Sequence, residues 1–231
     1  MTQSRDLGKQ MPQVVILAGG LGTRLGEFTA NTPKSLVEVN NKPIINYILD
    51  WVKGQGCKDI LILTGHLGEQ FTDFSYDGLN LNFIQESQPL GTGGAIRLAM
   101  NKIKGDYALI LNGDSYFNVE LNDLNLIQDI KKPIIFCRYV NDVSRYGKLI
   151  VNGNKIEKFA EKNSNGPGII NGGVYILPKK MFENYPLHTN FSIESELSKN
   201  LTKNNYARAI RSEEHTSELQ SPMYLVCRLL L

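Results

Sequence analysis

Three glycines and a small set of ionised side chains are the residues whose types and spacing could do chemistry. Gly19, Gly20 and Gly22 follow the apolar run that starts at Val14 and stand just ahead of Arg24. Without side chains, the backbone N–H groups of such a loop can close on an anion, and a guanidinium adds a fixed fork suited to phosphate. Lys34, in the turn Asn31-Thr32-Pro33-Lys34-Ser35, is a compact charge that could face the same anion. Asp114 closes Asn112-Gly113-Asp114, directly after the apolar run Tyr107 to Leu111. A carboxylate there, beside a glycine that lets backbone approach, is placed to bind Mg²⁺ bridging nucleotide phosphates. The set predicts a nucleotide-phosphate cradle.

The elements that must carry these residues alternate in type. Val14 onward is a buried parallel strand by its β-branched, uninterrupted apolar character. A short strand is expected over Leu36 to Val39, then a helix from Pro43 with Ile44, Ile45, Tyr47, Ile48, Trp51 and Val52 on one broad apolar face. Ile60 to Leu63 reads as a second buried strand, followed by a polar helix containing Glu69, Gln70 and Phe71. The strand Leu81 to Gln85 enters a second glycine-rich loop, Glu86 to Ala95, that opens a helix. This order implies a parallel sheet with right-handed crossovers and ligands at the carboxyl ends of its strands. Two such loops at neighbouring strand ends can hold the phosphates and the base of one nucleotide. An ionised Glu86 is acceptor-only and could take the adjacent N–H donors of guanine, although uracil also offers an N–H.

Beyond Leu111 the alternation stops. Asp123 to Ile130 reads as a helix, and Pro133 to Tyr139, Leu149 to Val151, Lys155 to Ala160 and Ile169 to Leu177 read as strands, the last interrupted by Asn171-Gly172-Gly173. These form a small antiparallel extension. Ser192 is a plausible N-cap for a helix that starts near Ile193.

Neither of two common glycine-loop templates fits. A dinucleotide fingerprint would need glycine where Leu25 stands, and a P-loop needs Gly-Lys-Ser/Thr. Leu-Ala-Gly-Gly-Leu-Gly-Thr-Arg-Leu followed by Pro33-Lys34 and Lys42-Pro43 instead resembles the signature of sugar-1-phosphate nucleotidyltransferases, over about residues 13 to 210. The resemblance implies an α/β fold, with a mostly parallel Rossmann-like sheet flanked by helices and a small antiparallel sugar-binding extension. It implies nucleotide contacts from Leu17, Ala18, Gly19, Gly20, Gly22, Thr23, Arg24, Glu86, Gly91 and Thr92, with the missing side chains at Gly91 and Gly93 leaving room for the flat ring of the base. It also implies sugar-phosphate contacts from Tyr146, Gly147, Glu161, Lys162, Asn171, Gly172 and Glu194. Arg24, Lys34 and Lys162 would be catalytic by handling phosphate charge, and Mg²⁺ on Asp114 would serve as cofactor. Ser-Arg-Tyr-Gly, Ile-Asn-Gly-Gly-Val-Tyr and Phe-Ser-Ile-Glu look most like the D-glycero-α-D-manno-heptose 1-phosphate guanylyltransferase subfamily, so GTP and that sugar phosphate are the expected substrates. A mannose 1-phosphate guanylyltransferase, an N-acetyl-sugar uridylyltransferase and a non-catalytic sugar-nucleotide binder are the alternatives. A heptose product would point to a cell-surface glycan.

Arg211 to Ser221 is what a common sequencing adapter encodes when translated, and Leu225 to Leu231 matches its downstream part. Residues 211–231 are therefore expected to be a non-native tail on a nucleotidyltransferase domain over 13–210, after a leader at 1–12. The resemblance also implies a second Mg²⁺ carboxylate from an Asp-Ile-Gly-type motif on a later strand. This chain does not contain that motif, so as it stands it is expected to turn over little or not at all. The net charge of +2 is not that of a nucleic-acid binder, and omitting Arg211, Arg228, Glu213, Glu214 and Glu218 raises it by a single unit. Cys57 and Cys137 lack metal-site or redox-motif spacing, which with the absence of a signal or spanning segment predicts a cytoplasmic protein off the membrane. Its oligomeric state is left open, a homo-oligomer included.

Overall fold

The computed structural model describes residues 11–20, 22, 29–116, 121, 132–144, 146–153, 155–160, 165–201 and 208–211. β1 (Gln13–Leu17) lies between β4 (Asp59–Thr64) and β6 (Tyr107–Asn112), parallel to both, and β4 pairs in parallel with β5 (Asn80–Gln85). Period-2 alternation sends Val14 and Ile16 to one face and Val15 to the other. α1 (Ile44–Gly54) covers the first face with Ile44, Ile45, Ile48, Leu49 and Val52. α2 (Gly91–Met100) and α3 (Ile193–Leu201) cover the second with Ala95, Ile96, Ala99, Ile193 and Leu197. The result is the expected helix–sheet–helix sandwich.

The antiparallel strands extend the same sheet. β10 (Gly168–Pro178) sits inside the same sheet, antiparallel both to β6 and to β7 (Ile134–Val140). β8 (Lys148–Asn152) and β9 (Lys155–Phe159) pair with each other, and β11 (Arg208–Arg211) joins β9 to β7. Because β8 also pairs with β10 at Ile169 and Ile170, the pairings β10-β7-β11-β9-β8-β10 close a ring. One edge of β10 therefore passes from β6, along Val174 to Pro178, to β8, along Ile169 and Ile170. The boundary expected at Ile210 falls inside β11.

Two expected elements take other forms. Leu36 to Val39 is not one strand: Pro33 starts a single 3-10 turn over Lys34–Leu36, closed by Leu36 N–H on Pro33 O at 2.8 Å. A two-residue hairpin follows, β2 (Glu38–Val39) and β3 (Lys42–Pro43), turned by Asn40 and Asn41 with φ of 52° and 59°. The helix expected around Glu69 is one 3-10 turn, Gly68–Phe71, with only Gly68 and Phe71 buried to hold it. The helix expected over Asp123 to Ile130 lies outside the described residues.

Candidate functional site

The carboxyl ends of β1, β4, β5 and β6 converge. Ala18 N–H donates to Leu63 O at 2.8 Å and Gly113 N–H to Leu17 O at 2.9 Å, so the loop leaving β1 is wedged between its two neighbours. The wedge needs small residues: a Cβ on Gly65 would stand 2.8 Å from Gly19 O, and one on Gly113 2.7 Å from Leu17 O. Of the cradle glycines, Gly19 makes room for a side chain, because a Cβ there would lie 2.8 Å from Glu86 Oε1. Gly22 turns the chain with φ +62°, against Thr29, whose hydroxyl donates to Gly22 O at 2.9 Å. Gly20 alone faces open space.

Lys34 and Asp114, eighty positions apart, meet here. Lys34 Nζ lies 2.7 Å from Asp114 Oδ2, and Ser115 Oγ donates to Oδ1 at 3.0 Å. The 3-10 turn delivers the lysine and the end of β6 delivers the carboxylate, with side chains 15% and 36% exposed. The carboxylate already holds a cation, and a single hard oxygen donor at a strand end suits Mg²⁺, which is commonly held by one or two carboxylates plus substrate phosphates. No cluster of three or more His, Cys, Asp or Glu occurs among the described residues. Lys42, part of the same sequence pattern, is structural: it pairs with Asp50 and lies 4.7 Å from the Tyr47 ring centroid.

Glu86 joins the two glycine-rich loops. Its Oε2 accepts Leu90 N–H at 3.0 Å while Oε1 lies over Gly19. Burial pushes its carboxyl above the ordinary value, and the Leu90 N–H opposes that rise. The room expected at Gly91 and Gly93 for a flat ring is taken from within the chain. A Cβ on Gly91, whose φ is +69°, would stand 2.6 Å from Phe191 O, and one on Gly93 would overlap the Phe191 ring. These glycines admit the 189–193 segment, which sequence distance concealed. Thr92 likewise points at α3, its Oγ1 accepting Ile193 N–H at 3.0 Å.

Where β10 changes neighbours it bulges. Its register against β7 shifts between Asn171 and Val174, placing Gly172 and Gly173 in the bulge. Asn171 Oδ1 accepts Gly173 N–H at 3.0 Å, and Asn171 Nδ2 donates to Tyr175 Oη at 2.6 Å. Gly173 combines φ +75° with a close approach, since a Cβ would lie 2.7 Å from Asn112 Nδ2. Tyr175 is fully buried. Burial first, then the charge of Glu194, drives its phenol far above the ordinary range, with Asp114 adding a smaller push and the Asn171 bond opposing. Asn171 thus bonds this phenol, and the charges of Glu194 and Asp114 act on it through space. Continuing the β8–β10 register by one step sets Gly147 beside Asn171; Gly147 is exposed, and half-buried Tyr146 donates its N–H to Val143 O at 2.8 Å.

The structure therefore brings together Leu17, Ala18, Gly19, Lys34, Glu86 and Asp114 at the carboxyl ends of the parallel strands, and Asn171 and Gly172 beside Tyr175 at the bulge, with the Glu194 charge acting on that phenol. Thr23, Arg24, Glu161 and Lys162 lie outside the described residues. Sequence reading missed Tyr175, Asn112 and Phe191. Tyr175 closes the Ile-Asn-Gly-Gly-Val-Tyr motif without a role of its own there; the signal was a phenol four positions after an asparagine, across a Gly-Gly interruption.

A parallel half-sheet with a glycine loop after β1, a cation–carboxylate pair at β6 and a bulge where two strand systems meet defines a nucleotide-handling α/β enzyme. The profile of the nucleotidyl transferase family matches residues 13–219, and the chain belongs to that family. It is 35% identical over 195 residues to a D-glycero-alpha-D-manno-heptose 1-phosphate guanylyltransferase of Campylobacter jejuni, covering 83% of this chain and 87% of that one. A protein of the same description from Aneurinibacillus thermoaerophilus is 34% identical over 189 residues, covering 80% and 82%. The crystal structure of HddC from Yersinia pseudotuberculosis complexed with GMP-PN superposes with a TM-score of 0.78 at 30% identity, covering 94% of this chain and 99% of that one.

Proposed function

We propose that the protein transfers a guanylyl group from GTP to a sugar 1-phosphate, D-glycero-α-D-manno-heptose 1-phosphate foremost, releasing pyrophosphate. The observation that carries the reading is the meeting of Lys34 with Asp114 at the strand ends, beside the glycine loop. The family match and the two guanylyltransferase relatives support the substrate class.

A phosphate oxygen of the sugar 1-phosphate attacks the α-phosphorus of GTP, and the bond from that phosphorus to the β-phosphate oxygen breaks in line. The attacking oxygen is already ionised, so no covalent enzyme intermediate and no general base is required; the protein positions charges and stabilises those that develop. Lys34, released from Asp114, takes phosphate charge. Asp114 would hold Mg²⁺, which supplies charge neutralisation across the phosphates when bound. Arg24 would hold the leaving pyrophosphate, and Lys162 would align the incoming phosphate. Glu86 would accept guanine N–H donors, and Asn171, Glu161 and Glu194 would meet sugar hydroxyls.

The test uses the gene read through its own 3′ end, with Mg²⁺, each of the four NTPs and a panel of sugar 1-phosphates. Pyrophosphate release with GTP and the manno-heptose phosphate alone is the expected result. Release with another pair moves the substrate and keeps the chemistry, whereas silence with nucleotide still bound replaces the enzyme with a sugar-nucleotide binder.

A further inference from the structure

The second glycine-rich loop and the start of α3 are stitched together although they lie far apart in sequence. Gly93 N–H donates to Phe191 O at 2.9 Å and Phe191 N–H to Leu90 O at 3.0 Å, and Asn190 Nδ2 reaches Pro89 O at 2.7 Å. Phe191 stacks on Tyr185 with centroids 4.5 Å apart, and Arg97 Nε holds Tyr185 O at 2.7 Å. At the centre of the seam stands the Thr92 hydroxyl.

That hydroxyl has one proton and two lone pairs. One lone pair takes the N–H of Ile193, the first residue of α3, whose amide has no partner within its own helix. The proton faces Glu194 Oε2 at 3.4 Å, a long contact that steers more than it binds. Ser192 Oγ donates to the same Oε2 at 2.6 Å and accepts Ser195 N–H at 3.4 Å. Two hydroxyls thus converge on one oxygen of Glu194, the serine in a short hydrogen bond and the threonine at longer range. Among the described residues the other oxygen makes no hydrogen bond, and the carboxylate's charge is felt at the Tyr175 phenol.

We propose that Thr92 is a positioning residue for Glu194: its hydroxyl, placed by sequence on the nucleotide side, serves the sugar side of the site. This rests on the reading that Glu194 meets the sugar 1-phosphate. Thr92 then ties the loop beneath the nucleotide to the carboxylate that orients the acceptor, so the two half-sites are set by one seam.

Steady-state kinetics of full-length Thr92→Val and Thr92→Ser, with GTP and D-glycero-α-D-manno-heptose 1-phosphate varied separately, tests this. Valine keeps the shape and removes the hydroxyl. The expected result is a rise of about tenfold in KM for the sugar 1-phosphate, GTP KM within about twofold of the unaltered enzyme, and recovery with serine. A selective rise in GTP KM overturns the inference by returning Thr92 to the nucleotide. An unchanged pair of KM values with only a lower melting temperature overturns it too, leaving a helix cap. Equal rises in both KM values that serine does not recover also overturn it. An unaltered enzyme that is silent with this pair defeats the functional reading itself, which the variants are not needed to detect.

Discussion

At the scale of single residues, the Lys34–Asp114 pair separates function from stability. Both side chains keep some contact with solvent, and ion pairs of that kind contribute about 1 kcal/mol or less to folding. A group that stabilises developing phosphate charge is worth about 3 kcal/mol in the transition state. Asp114→Asn is therefore expected to lower kcat by roughly a hundredfold or more, while a thermal melt shifts by only about 2–4 °C. A large loss of stability with turnover retained would show the pair to be a structural clamp. Glu86 gives a second separation, read from pH. Its native carboxyl is raised above its ordinary 4.5, mainly by burial. The native state then holds this proton more tightly than the unfolded chain does. Its stabilising contribution is present below 4.5 and is lost as pH rises through the native value, opposite to the usual acid-unfolding sign. Glu86→Gln is expected to flatten this part of the stability profile and to weaken guanine nucleotide binding, measured by melts and calorimetry across the same window. An unchanged slope would mean that Glu86 ionises without cost in its place over Gly19.

At the scale of elements, the glycines divide by what fills the space beside them. A Cβ on Gly93 would overlap the Phe191 ring, whereas one on Gly20 would meet nothing within 4 Å. Gly93→Ala is expected to destabilise by about 1–3 kcal/mol through forced repacking of α2 against the 189–193 segment. Adding Phe191→Ala should recover part of that loss, a coupling that a double-mutant cycle in denaturant reads directly. Gly20→Ala should leave the midpoint nearly unchanged and act, if at all, on nucleotide binding. Additive losses at Gly93 and Phe191 would refute the seam. Much at this scale was legible in the chain: uninterrupted apolar runs marked β1, β4 and β6, and Pro43 marked the start of α1. The glycines of the second loop were legible as a close approach but not as to what approached, since Phe191 lies about a hundred residues away. The short elements misread for a related reason. The segment from Leu36 to Val39 has strand composition, yet the Pro33 turn and the left-handed Asn40-Asn41 pair left it only two paired residues.

At the scale of the molecule, the candidate site lies where a parallel half-sheet hands over to a closed ring of mostly antiparallel pairings, and β10 pairs into both. No periodicity in the sequence reveals that handover. The apolar runs at Ile169-Ile170 and Val174 to Leu177 announce a strand, and Asn171-Gly172-Gly173 announces an irregularity, but only the pairing partners show that β10 changes neighbours there. Open α/β sheets bind ligands at a change of strand order, outside the carboxyl ends of their strands. This arrangement predicts that the two substrates protect different parts of one sheet from amide exchange. GTP should slow Ala18 and Glu86, whose N–H groups bond Leu63 O and Thr64 O at the carboxyl ends of the parallel strands. A sugar 1-phosphate should slow Gly173, bonded to Asn171 Oδ1 in the bulge, and Ala160, bonded to Lys148 O at the start of β8. Gly113, on the shared β6 edge, should slow with either ligand and most with both, because its N–H to Leu17 O joins the phosphate loop to the strand that β10 borders. Exchange measured by mass spectrometry with each ligand alone and with the two together decides the matter. Protection by the sugar phosphate confined to β4 and β5 would place both substrates on the parallel side and leave the ring a purely structural closure.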